Sequence, residues 1–341
     1  MSHTNLLSKQ WPLVCSQQQY PRYYPLSYFR LLQSTTKEFL STSDMAVSIA
    51  VDEPGTLLEG PHWDDRSGTL LYVDSIGHHV HRWDPVTKHK DTYDIGCMVG
   101  SVVPRESGGA VVAAGTKFSF LDFETRQLTD VATVDQHKPT NRLNDGKCDA
   151  AGRFWAGTMG EPNPVTMVER KVASLYCLHT DRTVTKAFNE VDISNGLAWT
   201  SDNSIMYYID SLQYSVDAFD FDLCTGMLCN RRQVMTFNPQ VDGVPDGMCI
   251  DTDGKLWIAM FNGGQVLQVD PNTGTQLRSI RVPAPQTSSC CFGGPNLDVM
   301  YVTSARIGYS AEVIQQNPQS GCLFQVTGLG ARGTPGLCYN G

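Results

Sequence analysis

Four side chains that carry oxygen donors, Glu59, Asn144, Asn195 and Asp246, stand at the same place in recurring copies of one sequence pattern. A guanidinium, Arg142, stands two residues before the second of them. Two carboxylates and two carboxamides directed at one point form a hard donor set, suited to Ca²⁺, Mg²⁺ or Mn²⁺ better than to a thiolate-seeking ion, with Zn²⁺ also able to bind. A carboxylate taken out of water without a partner is costly, so two aimed at one place call for a cation or dense hydrogen bonding. Read singly, each of these residues is better explained as a cap on a turn. Read together, the four favour a site.

The elements that must position them are strands. Glu59-Gly-Pro-His-Trp, a turn through Arg66-Ser-Gly and Leu70-Leu-Tyr-Val-Asp74 share one plan with Asn195-Gly-Leu-Ala-Trp, Ser201-Asp-Asn and Ile205-Met-Tyr-Tyr-Ile-Asp210. Asp246-Gly-Met-Cys-Ile with Leu256-Trp-Ile-Ala, and Asn144-Asp-Gly-Lys-Cys with Phe154-Trp-Ala, repeat it, and weaker copies begin at Ser101 and Ser289. The copies start roughly 42 to 51 residues apart, the spacing of four-stranded propeller blades. Each copy continues into alternating apolar and polar residues, as in His79-Val-His-Arg-Trp-Asp84 and Gln265-Val-Leu-Gln-Val-Asp270, which is the period of half-buried strands. Beyond Met45 no amphipathic helix of twelve residues stands out, which disfavours a βαβ architecture. The sequence therefore predicts an all-β, six-bladed β-propeller over residues 45–341. The innermost strand of every blade lines the channel, so equivalent first positions converge on one axis.

Composition narrows the function classes. The chain has 341 residues and a formal net charge of −9 without a Lys/Arg block, so nucleic acid and acidic membranes are not expected partners. No run approaches the length of an apolar membrane span. Eleven cysteines without a C-x-x-C pair fit neither a disulfide framework nor a zinc knuckle. With no Asn-x-Ser/Thr acceptor present, a cytoplasmic location is the expectation. Residues 1–44 differ from the rest, with Lys9, Arg22, Arg30 and Lys37 preceding the first acid, Glu38. They read as a disordered extension, or as a transit-like leader that implies a mitochondrial location.

Other signals carry less. Gly328-Leu-Gly-Ala-Arg-Gly333 matches a nucleotide-binding pattern but leaves no room for a helix and second strand, and reads as a loop. Asp251-Thr-Asp-Gly254 reads as a hairpin turn rather than a calcium loop. Cys148 and Cys249 read as buried packing residues. No G-x-S-x-G elbow is present, so no serine nucleophile is visible.

Glu59-Gly-Pro-His-Trp, Asn141-Arg-Leu-Asn-Asp-Gly-Lys147, Asp192-Ile-Ser-Asn-Gly-Leu197, Tyr207-Tyr-Ile-Asp-Ser-Leu212, Pro245-Asp-Gly-Met-Cys-Ile-Asp251 and Phe292-Gly-Gly occur in order from about residue 47 onward. This set resembles the regucalcin/gluconolactonase family. The resemblance implies a propeller with one divalent metal ion on Glu59, Asn195 and Asp246, and substrate contacts from Arg142 and Asn144. The family's two consecutive glutamates are here Glu161-Pro162, so Glu161 would have to supply the remaining substrate contact from a backbone that Pro162 restricts. The implied activity is hydrolysis of small sugar lactones; Asp246 is the candidate catalytic base, because a carboxylate beside the metal can accept the proton of the attacking water, and a monomer is expected. Two alternatives stand beside it, a calcium-binding regulator without turnover and a relative of luciferin-regenerating enzymes.

Overall fold

The structure is a computed structural model that describes residues 45–160 and 168–341. It is all-β, as the alternation predicts: among the described residues the only α-helix is Ala311–Gln316. Four sheets each contain four consecutive antiparallel strands, beginning at Leu58–Asp64, Val99–Pro104, Asn141–Cys148 and Ser194–Trp199. An eight-stranded sheet follows, whose two halves begin at Val244–Ile250 and Gln286–Gly293 and are joined where Phe261 pairs with Gln286. The first strands touch one another in chain order, and the last, Gln286–Gly293, packs against the first, Leu58–Asp64. The sheets therefore close into a ring. Its outermost closing strand is Ala46–Val51, which pairs antiparallel with Leu323–Thr327 and ties the two ends of the described chain together.

The apolar residues lie between neighbouring sheets. Leu71, Val73 and Val80 pack on Val102 and Val112; Trp155 and Leu175 pack on Trp199 and Tyr208; Met248 and Ile258 pack on Tyr207 and Ile209. The seam between the last and first sheets holds Trp63, Trp83 and Tyr301, with Trp63 and Tyr301 stacked at 5.8 Å. Cys148 and Cys249 are buried among these packing residues.

Buried aspartates fix the turns. Asp149 accepts the Ala151 and Arg153 amides, the Arg153 guanidinium at 2.7 Å and the Trp155 indole at 2.7 Å. Asp251 repeats the device with the Asp253 and Lys255 amides and the Trp257 indole at 2.9 Å, so Asp251-Thr-Asp-Gly254 is the hairpin turn expected of it. At the other end of the strands, Asp74 accepts the Thr56, Leu57 and Gly77 amides, and Asp210 those of Asp192 and Ile193. These repeats are visible in the sequence because each turn needs the same saturated carboxylate.

The C-terminal residues cross the face where the first strands finish. Thr252 donates to Arg332 O, Gly333 to Leu297 O, Glu106 to Tyr339 O and Asn340 to Gly152 O. The Gly328–Gly333 loop belongs to this strap, with Gly328 and Gly330 at positive φ.

Candidate metal and substrate site

Every first strand of the ring is bulged at one level. Pairing runs from Glu59↔Val73 directly to His62↔Leu71, so three steps on the inner strand face two on its neighbour. The same slip falls between Leu143 and Gly146, Ser194 and Leu197, and Pro245 and Met248, and a shorter one between Val99 and Ser101 and between Thr287 and Ser289. A bulge breaks strict alternation and re-aims the side chains within it. Asn144, Asn195 and Asp246 all sit inside such bulges, and Glu59 sits at the lip of one. The glycine that follows Asp246 is required by packing: a Cβ on Gly247 would lie 2.0 Å from Ser289 Oγ in the next inner strand.

The bulges bring the predicted residues together. Glu59, Arg142, Asn195 and Asp246 are buried, and Asn144 is half-buried. Arg142 Nη1 donates to Asn144 Oδ1 at 2.8 Å and to Leu143 O at 3.1 Å. Asn144 Nδ2 donates across to Ser194 O at 2.9 Å. Asn195 Nδ2 donates to Ser211 Oγ at 2.9 Å.

Electrostatics show that the carboxylates share one space. Burial pushes Glu59 well above the usual carboxylate range, and the charges of Asp246 and then Asp145 push it further, while the Gly60 amide and Arg142 oppose the rise. Asp246 is raised by burial and by Asp145, against the Asn195 carboxamide and Arg142. Asp145 is itself raised by burial, with Lys147 opposing. Asp145 is the member that sequence reasoning missed. In a regular strand it faces away from its neighbour Asn144, and only the bulge allows both to act at the channel.

These carboxylates differ from the ones that hold turns. Asp149 and Asp251 are saturated by amide, indole and other side-chain donors. The hydrogen bonds of Glu59 and Asp145 are local, one from the Gly60 amide at 3.1 Å and one from the Gly146 amide at 2.8 Å. Asn195 Oδ1 is buried without a hydrogen-bond partner, a state that costs about 1–3 kcal/mol unless something fills it. Unspent buried carboxylates beside an orphaned amide oxygen fit a hard divalent cation. Among the described residues no three His, Cys, Asp or Glu side chains form a metal-holding group by themselves, so a neutral oxygen such as Asn195 Oδ1 has to complete the set.

Deeper in the channel, Lys147 Nζ donates to Met248 O at 2.7 Å. The buried His62 has an unpartnered Nε2, and burial followed by the charge of Lys147 pushes its pKa down to about 4. Glu161, the expected third substrate contact, and Pro162 lie outside the described residues.

Fold and site thus define an all-β protein whose ring of sheets converges on a buried acid and amide centre. The family described as "SMP-30/Gluconolactonase/LRE-like region" matches residues 57–306, and the chain belongs to it. Regucalcin of Danio rerio is 47% identical over 299 residues, which is 88% of this chain and 100% of that one. A solved luciferin-regenerating enzyme superposes with a TM-score of 0.81 at 33% identity, covering 86% of this chain and 99% of its own. A calcium-binding protein, regucalcin, from Agrobacterium tumefaciens superposes with a TM-score of 0.81 at 26% identity, covering 86% and 97%.

Proposed function

We propose that the chain is a six-bladed β-propeller that hydrolyses small sugar lactones of the gluconolactone type with the help of one divalent ion. The observation that carries the reading is the orphaned Asn195 Oδ1 beside the buried, unspent Glu59 and Asp246. Family membership supports lactone hydrolysis in general. Glu59, Asn195 and Asp246 would hold Ca²⁺, Zn²⁺, Mn²⁺ or Mg²⁺. Such an ion, when bound, polarises a carbonyl and makes a coordinated water more acidic.

The remaining work falls to the chain itself. Arg142 offers donors fixed in a plane and no acceptor, which suits the ring and hydroxyl oxygens of a sugar and a developing oxyanion. Asn144 both donates and accepts, as a polyol requires. Asp246 accepts the proton of the attacking water as catalytic base, and Glu161 adds a contact to the hydroxyls. Burial of the centre excludes bulk water and strengthens each of these interactions. The protein would act as a monomer in the cytoplasm, with mitochondria the alternative if residues 1–44 act as a leader; the ten described cysteines are all unpaired, which is compatible with a reducing setting.

A second reading is a calcium-binding regulator, favoured by the purely oxygen donor set. Turnover separates the two. Protein stripped by a chelator and resupplied with each ion should release acid from gluconolactone above the spontaneous rate. Calcium binding without acid release under any ion would establish the regulator instead.

A further inference from the structure

We propose that Asp145 is a third anionic member of the channel site, a positioning residue kept for binding the cation and the water or hydroxyl groups on it, at the expense of fold stability. Three observations lead there. Asp145 is 7% exposed and lies inside the Leu143–Gly146 bulge, next to Asn144. Asp145 accepts a hydrogen bond from the amide of the very next residue, Gly146, at 2.8 Å, whereas Asp149, four residues on along the same stretch of chain, receives four donors. It acts electrostatically on both Glu59 and Asp246.

A buried carboxylate that repels two others is a poor choice for stability alone. An amide of the same shape would keep the Gly146 bond and remove the repulsion. The arrangement makes sense if the charge is used, as an acceptor for water or hydroxyl protons that a cation on Glu59, Asn195 and Asp246 brings to the same space. Lys147, two residues along, moderates Asp145 from below while spanning the channel to Met248 O. Sites built for function at a cost to the fold are a recurrent pattern.

The inference rests on the cation-site reading. It is tested on the full chain, freed of metal, by calcium titration calorimetry and thermal melting of the wild type, Asp145→Asn and Asp149→Asn. The metal-free Asp145→Asn protein should melt a few degrees higher than the wild type, because repulsion is relieved, and its calcium dissociation constant should rise roughly tenfold. Asp149→Asn should melt lower with calcium affinity kept. Unchanged calcium affinity in Asp145→Asn, in a wild type that does bind calcium, overturns this proposal alone. A wild type that binds no divalent ion removes the cation reading and this inference with it.

Discussion

Arg142 and Asn144 are bonded to each other, Nη1 to Oδ1 at 2.8 Å, across the lip of a bulge. The two side chains read separately as substrate contacts therefore form one unit, anchored on the far side by Asn144 Nδ2 on Ser194 O. Residues that share a hydrogen bond do not contribute additively. Arg142→Ala and Asn144→Ala should each lower kcat/KM for gluconolactone roughly tenfold or more, with the double variant well short of the product, while a divalent ion still binds. Steady-state kinetics of the four proteins check this, and strict additivity would mean the two act independently.

Ser211 holds Asn195 by its hydroxyl at 2.9 Å. Without that bond the carboxamide is free to turn, and outer partners of a ligand typically change affinity by about tenfold or more. Ser211→Ala should therefore weaken calcium binding about tenfold while leaving the melting temperature within a few degrees of the wild type. Calorimetry showing full affinity would show that Asn195 is oriented by its other neighbours.

His62 gives a pH signature. Burial and Lys147 lower its pKa from 6.5 to about 4, so the folded protein keeps the imidazole neutral. The stability this contributes is complete above the unfolded value and is lost as pH falls from about 6.5 toward 4. At pH 5 the wild type has given up about 2 kcal/mol that His62→Gln does not lose. Melting curves of the two proteins between pH 7.5 and pH 5 should converge on acidification, and parallel curves would show a normally titrating His62.

Gly247 lies where two neighbouring inner strands pass close to each other. A methyl there meets Ser289 Oγ at 2.0 Å and Ser289 Cβ at 2.5 Å. Gly247→Ala should destabilise the fold by roughly 2 kcal/mol or more, with Ser289→Gly restoring part of the loss. Denaturant midpoints of the single and double variants decide it.

Much of this was legible in the residues, and the failures have physical reasons. The saturated aspartates and their tryptophans, Asp149 with Trp155 and Asp251 with Trp257, recur in fixed register, so the strands and turns repeat visibly. Glu59, Asn144, Asn195 and Asp246 could be aligned because each begins a copy. The bulges were invisible, since a register slip depends on how a strand pairs and leaves no mark in local composition, and Asp145 was overlooked with them. The closing strand Ala46–Val51 and the strap that ends at Tyr339 and Asn340 were not anticipated either, because their partners lie far away in sequence, up to Thr327 for Ala46.

The central claim is that Glu59, Asn195 and Asp246 hold one divalent ion. Calcium titration calorimetry on metal-free wild type and on Asp246→Asn tests it most directly. The account predicts one calcium per chain for the wild type and a dissociation constant raised a hundredfold or beyond detection for the variant, since a charged oxygen donor is removed from a buried site. Equal binding by the two proteins would place the ion elsewhere and contradict the account.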